Sequence, residues 1–76
     1  MGTVEPVVFE LRGEFITLAA LLKASGAASS GGDAKALATG GSVQVNGQPE
    51  ARRGRKLRAG DEVRAAGAHI RIQAAP

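Results

Sequence analysis

A cluster of cations between positions 52 and 58 is the strongest chemical signal in this sequence. Five basic side chains stand within seven positions, with no acidic residue among them: Arg52, Arg53, Arg55, Lys56 and Arg58. A guanidinium can pair with a phosphate through two parallel hydrogen bonds and can stack on a base. The cluster therefore favours a structured polyanion as partner over a membrane surface, and the alternative is a solvated charged face without a ligand.

The other reactive side chains do not form a catalytic set. The chain has no cysteine, and His69 is its one histidine, so neither a thiolate site nor a histidine cluster for a metal can form. Asp61 and Glu62 are adjacent, but they follow Gly60 in a predicted tight turn, where Asp61 is expected to accept backbone amides. We expect a protein that is not an enzyme, with no catalytic residue, no metal site and no cofactor.

Length and charge limit the remaining possibilities. The 76 residues (7.7 kDa) predict one domain over residues 1–76, with a core over about residues 7–73 and frayed ends. A domain of this size buries only about 60% of its unfolded surface, so a deep ligand pocket is not expected. The net charge of +3 is uneven, since residues 39–76 carry seven basic and three acidic side chains. No apolar run approaches the ~20 residues of a membrane span, and we expect a soluble, cytoplasmic monomer.

Two helices are predicted in the first half of the chain. Phe15, Leu18 and Leu22 recur at helical spacing, Thr17 is a suitable N-cap, and the first helix is expected over about residues 18–25. Ser30 followed by Asp33 suggests a capping box that opens a second helix, which ends near residue 39. A phosphate-binding glycine loop over residues 29–33 is disfavoured because the GK[ST] ending is missing.

Short strands are predicted around these helices. Residues 5–11 alternate as an edge strand after Pro6, and Val43 and Val45 lead into the Asn46-Gly47 hairpin signal. Residues 69–73 are predicted to form the last strand, and residues 74–76 are expected to be a frayed tail. The order β-α-α-β-β-β indicates an α+β fold, in which two short helices pack on a small twisted antiparallel sheet.

From residue 15 to residue 63 the sequence resembles the S4 RNA-binding domain, and it is most similar to the small free-standing S4-like proteins of bacteria, the YbcJ type. The matching stretches are FITLAALLKASG, SGGDAK, GSVQVNG, ARRGRKLRAGDEV and, further on, GAHIRI. The resemblance implies an L-shaped motif of two helices and a hairpin that holds structured RNA. Standard S4 domains carry arginines where this chain has Gly31 and Gly32, which shifts the expected contacts toward residues 52–58.

The resemblance also assigns the expected site. Lys35 matches the basic position of the second helix, and the basic stretch after the hairpin supplies the centre of the site, with Lys35 and Arg58 at its margins. Regular strand alternation would place Arg53 and Arg55 on one face, and Arg52 with Lys56 on the other, whereas a bulge at Gly54 would gather these cations together. Phe9 and Phe15 are interpreted as core residues, so base stacking is not expected.

The sequence therefore predicts a non-enzymatic module that binds structured RNA, of the rRNA or tRNA class, by phosphate and shape contacts. Neutralising about five phosphates would give a salt slope of log K of roughly −3.5 to −4.5. The alternative is a protein-interaction adaptor whose basic face meets an acidic partner, such as a protein of the ribosome or an RNA-processing enzyme. A third interpretation is a detached accessory domain of an enzyme, although the chain carries no catalytic set of its own.

Overall fold

The structure is a computed structural model that describes residues 6–65 and 67–76. Position 5, at the start of the first predicted strand, lies outside the described residues. The two helices and seven strands run in the following order: β1 (Val7–Leu11), β2 (Ile16–Thr17), α1 (Leu18–Ala24), α2 (Gly31–Thr39), β3 (Gln44–Val45), β4 (Gln48–Pro49), β5 (Lys56–Leu57), β6 (Glu62–Ala65) and β7 (Ala68–Ala74).

The predicted α+β class is confirmed, with one difference in the sheet. The main sheet has the order β1-β7-β6-β3-β4, and β2 pairs with β5 in a separate two-stranded sheet. All neighbours in the main sheet are antiparallel except β1 and β7, which run parallel, so the sheet is mixed and not wholly antiparallel as expected. Alternation along a strand indicates which side chains face the core, but it is the same in parallel and antiparallel pairs. The sequence pattern therefore did not distinguish a parallel from an antiparallel neighbour for β1.

The pairing of β1 with β7 also corrects the prediction for the chain end. Leu11 pairs with Ala74, and the backbone N–H of Ala75 donates to the Leu11 carbonyl at 3.0 Å. The expected frayed tail is therefore wrong for Ala74 and Ala75, which continue the sheet. Strand β1 is an edge strand, as Pro6 predicted, and it leaves Val7 about half exposed.

Both helices begin at the predicted caps. The Ala20 amide donates to Thr17 Oγ1 at 3.3 Å at the start of α1, and the Asp33 amide donates to Ser30 Oγ at 3.1 Å at the start of α2. The Asp33 carboxylate accepts from the amide of Ser29, at 2.9 Å, one residue before the partner that a standard capping box uses. At the start of each helix, the hydroxyl of the capping residue thus accepts a hydrogen bond from an amide that has no partner within the helix.

The core lies between the helices and the inner face of the main sheet. Three leucines of α1 are fully buried, whereas α2 buries only Ala34 and Ala38. The largest fully buried side chains are Leu18, Leu21, Leu22, Val43, Val45, Leu57, Val63, Ile70 and Ile72. One core prediction is wrong: Phe15 lies before β2 and α1, outside the helical stripe, and remains 42% exposed.

The hairpin between β3 and β4 has the predicted turn. Asn46 and Gly47 both have positive φ (53° and 82°), as a two-residue type I′ turn requires. The Asn46 side chain donates to Asp61 Oδ1 at 3.0 Å and accepts from the Glu62 amide at 2.9 Å. Asp61 Oδ2 also accepts from the Arg58 amide at 2.8 Å, which confirms its predicted role in the turn. The hairpin is thereby tied to the end of the basic segment.

Candidate nucleic-acid interface

The basic loop, defined as residues 52–58, is docked on the first turn of α1 through its backbone. The amides of Leu18 and Ala19 donate to the carbonyls of Arg55 and Arg53, each at 2.9 Å. These amides are among the four that a helix start leaves without internal partners. The helix start is therefore occupied by the loop itself, and the loop backbone is fixed while the side chains of Arg52, Arg53, Lys56 and Arg58 remain exposed.

A short strand pairing secures the other end of the basic loop. Lys56 and Leu57 form β5, which pairs with β2 in the register Leu57 to Ile16 and Lys56 to Thr17. Leu57 is fully buried in the core, whereas the Lys56 side chain is exposed. The loop is thus anchored by its one large apolar side chain.

Glu50 holds the two arginines at the start of the basic loop. This residue is 8% exposed, and its amide donates to the Val43 carbonyl at 3.0 Å. One carboxylate oxygen accepts from the amide and Nε of Arg52, at 3.1 and 3.2 Å. The other oxygen accepts from Arg55 Nη1 at 2.8 Å and from Arg52 Nη2 at 3.3 Å. A single carboxylate therefore uses both oxygens to set the path of the chain from residue 50 to residue 55.

These hydrogen bonds also fix the charge state of the site. The hydrogen bonds from Arg52 and then Arg55 stabilise the ionised carboxylate and lower the pKa of Glu50 from its ordinary 4.5 to about 2. The same hydrogen bond raises the pKa of Arg52. Glu50 is consequently an anion at neutral pH and neutralises part of the charge of the two arginines.

Sequence reasoning missed Glu50, and of the two arrangements it left open for residues 52–56, regular strand alternation is not found. Residues 52–55 form a turn, with the Arg55 amide donating to the Arg52 carbonyl at 3.1 Å, and they do not extend a strand. Arg52 and Arg55, which that alternation would place on opposite faces, therefore meet at the same carboxylate. The sequence signal that could have revealed this arrangement is the position of Glu50, two residues before Arg52 and five before Arg55.

The other three cations of the basic loop are exposed. Among residues 6–65 and 67–76, no carboxylate lies within 4.0 Å of Arg53, Lys56 or Arg58. The Lys56 ammonium lies over the ring of Phe15, 5.0 Å from its centre, a cation–π contact that sequence reasoning did not foresee. The loop thus presents three cations that pair with no carboxylate in the described part of the chain, and its backbone is held in place.

Lys35 belongs to a different element of the structure from this loop. It is exposed on α2, whose helical neighbour is α1, and no hydrogen bond or ion pair among the described residues joins it to the basic loop. Its neighbours on the buried side of the helix are Ala34 and Ala38. The structure therefore gathers five of the six predicted site residues in one loop and leaves the sixth on a separate element.

A second charged cluster lies on the outer face of the main sheet. The Glu62 carboxylate pairs with His69 Nε2 at 3.0 Å and with Arg71 Nη2 at 3.2 Å. The hydrogen bond with His69, together with the charge of Arg71, lowers the pKa of Glu62 against the opposing effect of burial. The His69 side chain is largely covered and has a defined partner.

Two classes of site are not found in the described part of the chain. None of its helices has the length and apolar character needed to cross a membrane. Within residues 6–65 and 67–76, no group of three or more histidine, cysteine or acidic residues is placed to hold a metal ion. The basic loop is the arrangement with the clearest chemistry, which is the binding of anionic groups.

Comparison with protein families agrees with this chemistry. A family model described as S4 domain matches residues 9–73, a span that includes both helices, the hairpin and the whole basic loop. No curated protein matches the chain. S4 domains are in general RNA-binding modules without catalytic activity, which supports a role in RNA binding. The match covers most of the sequence, and the chain therefore belongs to the S4 domain family.

Proposed function

We propose that this protein binds structured RNA, of the rRNA or tRNA class, through phosphate and shape contacts centred on the basic loop. The proposal rests on one observation: a loop whose backbone is fixed carries exposed cations at Arg53, Lys56 and Arg58. A cation held in position loses less conformational freedom when it binds a phosphate than one on a mobile loop. Catalysis is not part of the proposal.

Arg52 and Arg55 contribute to the site in a different way from the other three cations. The Arg52 side chain is 77% exposed even though its Nε and Nη2 are bonded to Glu50. A guanidinium has five N–H donors, so Arg52 keeps donors for a phosphate while its plane is fixed by the carboxylate. Arg55 is more covered and is better placed to orient the loop than to bind RNA.

The finer assignment follows from the residues at the start of α2. Gly31 and Gly32 place no cation there, and Lys35 is the only basic side chain of that helix. We propose that α2 contributes one marginal contact, that the basic loop contributes most of the affinity, and that the protein resembles the small free-standing YbcJ type of the cytoplasm. Pairing of two arginines with one carboxylate reduces the number of phosphates that the loop neutralises.

The proposal is tested by fluorescence-anisotropy titration of a structured RNA hairpin and its DNA counterpart over a salt series. We expect preference for the RNA and a log K that falls with log salt. A slope near −3.5 to −4.5 corresponds to about five phosphates, and a slope of roughly −2.8 to −3.6 corresponds to about four, the number expected if the carboxylate of Glu50 cancels one of the five positive charges.

Two triple variants with the same change in charge separate position from net charge. Arg53/Lys56/Arg58→Ala and Lys23/Arg64/Arg71→Ala each remove two arginines and one lysine, and each lowers the net charge from +3 to zero. The three loop cations together should account for roughly 100- to 500-fold of the affinity at ~0.1 M salt, so the first variant should lose most of the binding. The second variant should lose much less.

Equal losses in the two variants would leave only a general effect of positive charge, and equal binding of RNA and DNA would remove the preference for RNA. A wild-type protein that is folded and binds no RNA would contradict the proposal and favour the protein adaptor, whose partner would remain bound after RNase treatment.

A further inference from the structure

Phe15 is an aromatic side chain at the surface beside the basic loop. It is one of only two aromatic residues in the chain, and it is 42% exposed even though the Lys56 ammonium lies over its ring. It directly precedes β2, whose Thr17 pairs with Lys56, so its position relative to the loop is set by backbone pairing. The other aromatic residue, Phe9, packs against the core.

A shallow groove runs along this ring. It is lined by residues 9–12, Phe15 and Ile16, and its volume is about 250 Å³. Pockets for drug-sized ligands are commonly ~300–1,000 Å³, so this groove suits a smaller planar group. Lys56 is not among the residues that line the groove, so its side chain does not fill it.

We propose that Phe15 stacks on one unpaired base of the RNA that the basic loop binds; this inference rests on the proposed function and adds a nucleotide-binding subsite to it. Aromatic side chains bind unstacked bases because every base has a π-face. The Lys56 ammonium beside the ring can pair with the phosphate of a nucleotide whose base stacks on the ring. The ring and the ammonium together can therefore bind the two chemical parts of one nucleotide. Glu10 and Arg12, at the edge of the groove, offer an acceptor and donors for the base edge.

Stacking on Phe15 requires an RNA with at least one unpaired nucleotide. In a fully paired helix the bases are stacked on their neighbours and are not available to a protein ring, whereas a bulge or loop exposes them. The RNA bound by this chain should therefore contain an unpaired nucleotide next to a helical segment. The requirement is a property of RNA structure and does not depend on which base is unpaired.

The absence of tryptophan and tyrosine from the chain allows a direct measurement. Phe15→Trp introduces a single fluorophore at the ring position, and Val8→Trp introduces one at a side chain that is 50% exposed on β1 and does not line the groove. Each is titrated with an RNA duplex that carries one bulged nucleotide and with the same duplex without the bulge. We expect quenching of the Phe15→Trp fluorescence by the bulged duplex and little change for Val8→Trp.

Affinity provides the second readout. Phe15→Leu keeps an apolar side chain but removes the π-face, and a melting curve confirms that the variant is folded. We expect it to lose roughly 5- to 100-fold in affinity for the bulged duplex and to bind the paired duplex as the wild type does.

Normal binding of the bulged duplex by Phe15→Leu, or unquenched fluorescence of Phe15→Trp with RNA bound, would overturn the subsite while the basic loop remained the site. Failure of the wild type to bind either duplex would overturn both.

Discussion

Glu50 and Glu62 each contact two nitrogen-bearing side chains, yet they stand in different structural settings. Glu50 lies outside the strands, and its partners Arg52 and Arg55 follow within five residues of the same loop. Glu62 lies in β6, and its partners His69 and Arg71 lie on the neighbouring strand β7, whose register backbone hydrogen bonds already define.

The difference shows what an ion pair does when secondary structure is absent. Around Glu62 the sheet determines where the side chains meet, and the ion pairs add to an arrangement that exists without them. Around Glu50, residues 52–55 belong to no strand ladder and are held by two backbone hydrogen bonds from α1, and the carboxylate adds to these by accepting from a backbone amide and two guanidinium groups. Removing each carboxylate should therefore have unequal consequences.

The largest difference should come from comparing Glu50→Ala with Glu62→Ala by amide hydrogen exchange. Without Glu50 the basic loop loses the side-chain bonds that hold its first turn, and the amides of Leu18 and Ala19, which donate to loop carbonyls, should exchange faster by on the order of tenfold. Glu62→Ala should leave these two amides protected, because the loop does not depend on it. Equal exchange rates in the two variants would show that the α1 contacts hold the loop without Glu50.

The dependence of stability on pH should separate the two carboxylates next. The folded-state pKa of Glu50, about 2, lies below its ordinary 4.5, so its contribution is complete above about pH 4.5 and is lost as the pH falls toward 2. The pKa of Glu62 is also lowered, so its contribution is lost in the same direction. Urea unfolding between pH 7 and pH 2 should give a flatter profile for Glu50→Gln than for Glu62→Gln. Wild-type and Glu50→Gln profiles that run parallel would exclude this linkage.

The smallest difference should appear when one cation is removed from each cluster. Arg55 lies 2.8 Å from its carboxylate with a side chain that is 34% exposed, whereas Arg71 lies at 3.2 Å and is 52% exposed. Exposed ion pairs contribute little to stability, so Arg71→Ala should change Tm by no more than about 4 °C. Arg55→Ala should lower Tm further, as measured by circular dichroism. A larger effect of Arg71→Ala would reverse the comparison.

Local features of the fold were predictable from the sequence. The caps at Thr17 and Ser30, the Asn46-Gly47 turn and the acceptor role of Asp61 each depend on residues within a few positions of one another. For such features the chemistry of one short segment determines the structure. The helix boundaries were predictable for the same reason, because each helix starts at one of these caps.

Features that depend on distant segments were not predictable in this way. The parallel pairing of β1 with β7 and the exposure of Phe15 result from how the chain returns to its first strand and enters α1. The site was predicted as a set of cations, but its organisation around Glu50 required knowledge that residues 52–55 turn. An acidic residue in front of a basic run has no fixed meaning until the path of the backbone is known.

The pairing of β1 with β7 has a consequence for the timing of folding during synthesis. Val7 pairs with Ile70, so the first strand waits for a partner that is made 63 residues later. At ~5–20 residues per second, a ribosome needs roughly 3–13 s to supply that partner, whereas loops of a few residues close in well under a microsecond. The helices and the Asn46-Gly47 hairpin can form as they emerge, but one edge of the sheet is completed only when the last strand has left the exit tunnel.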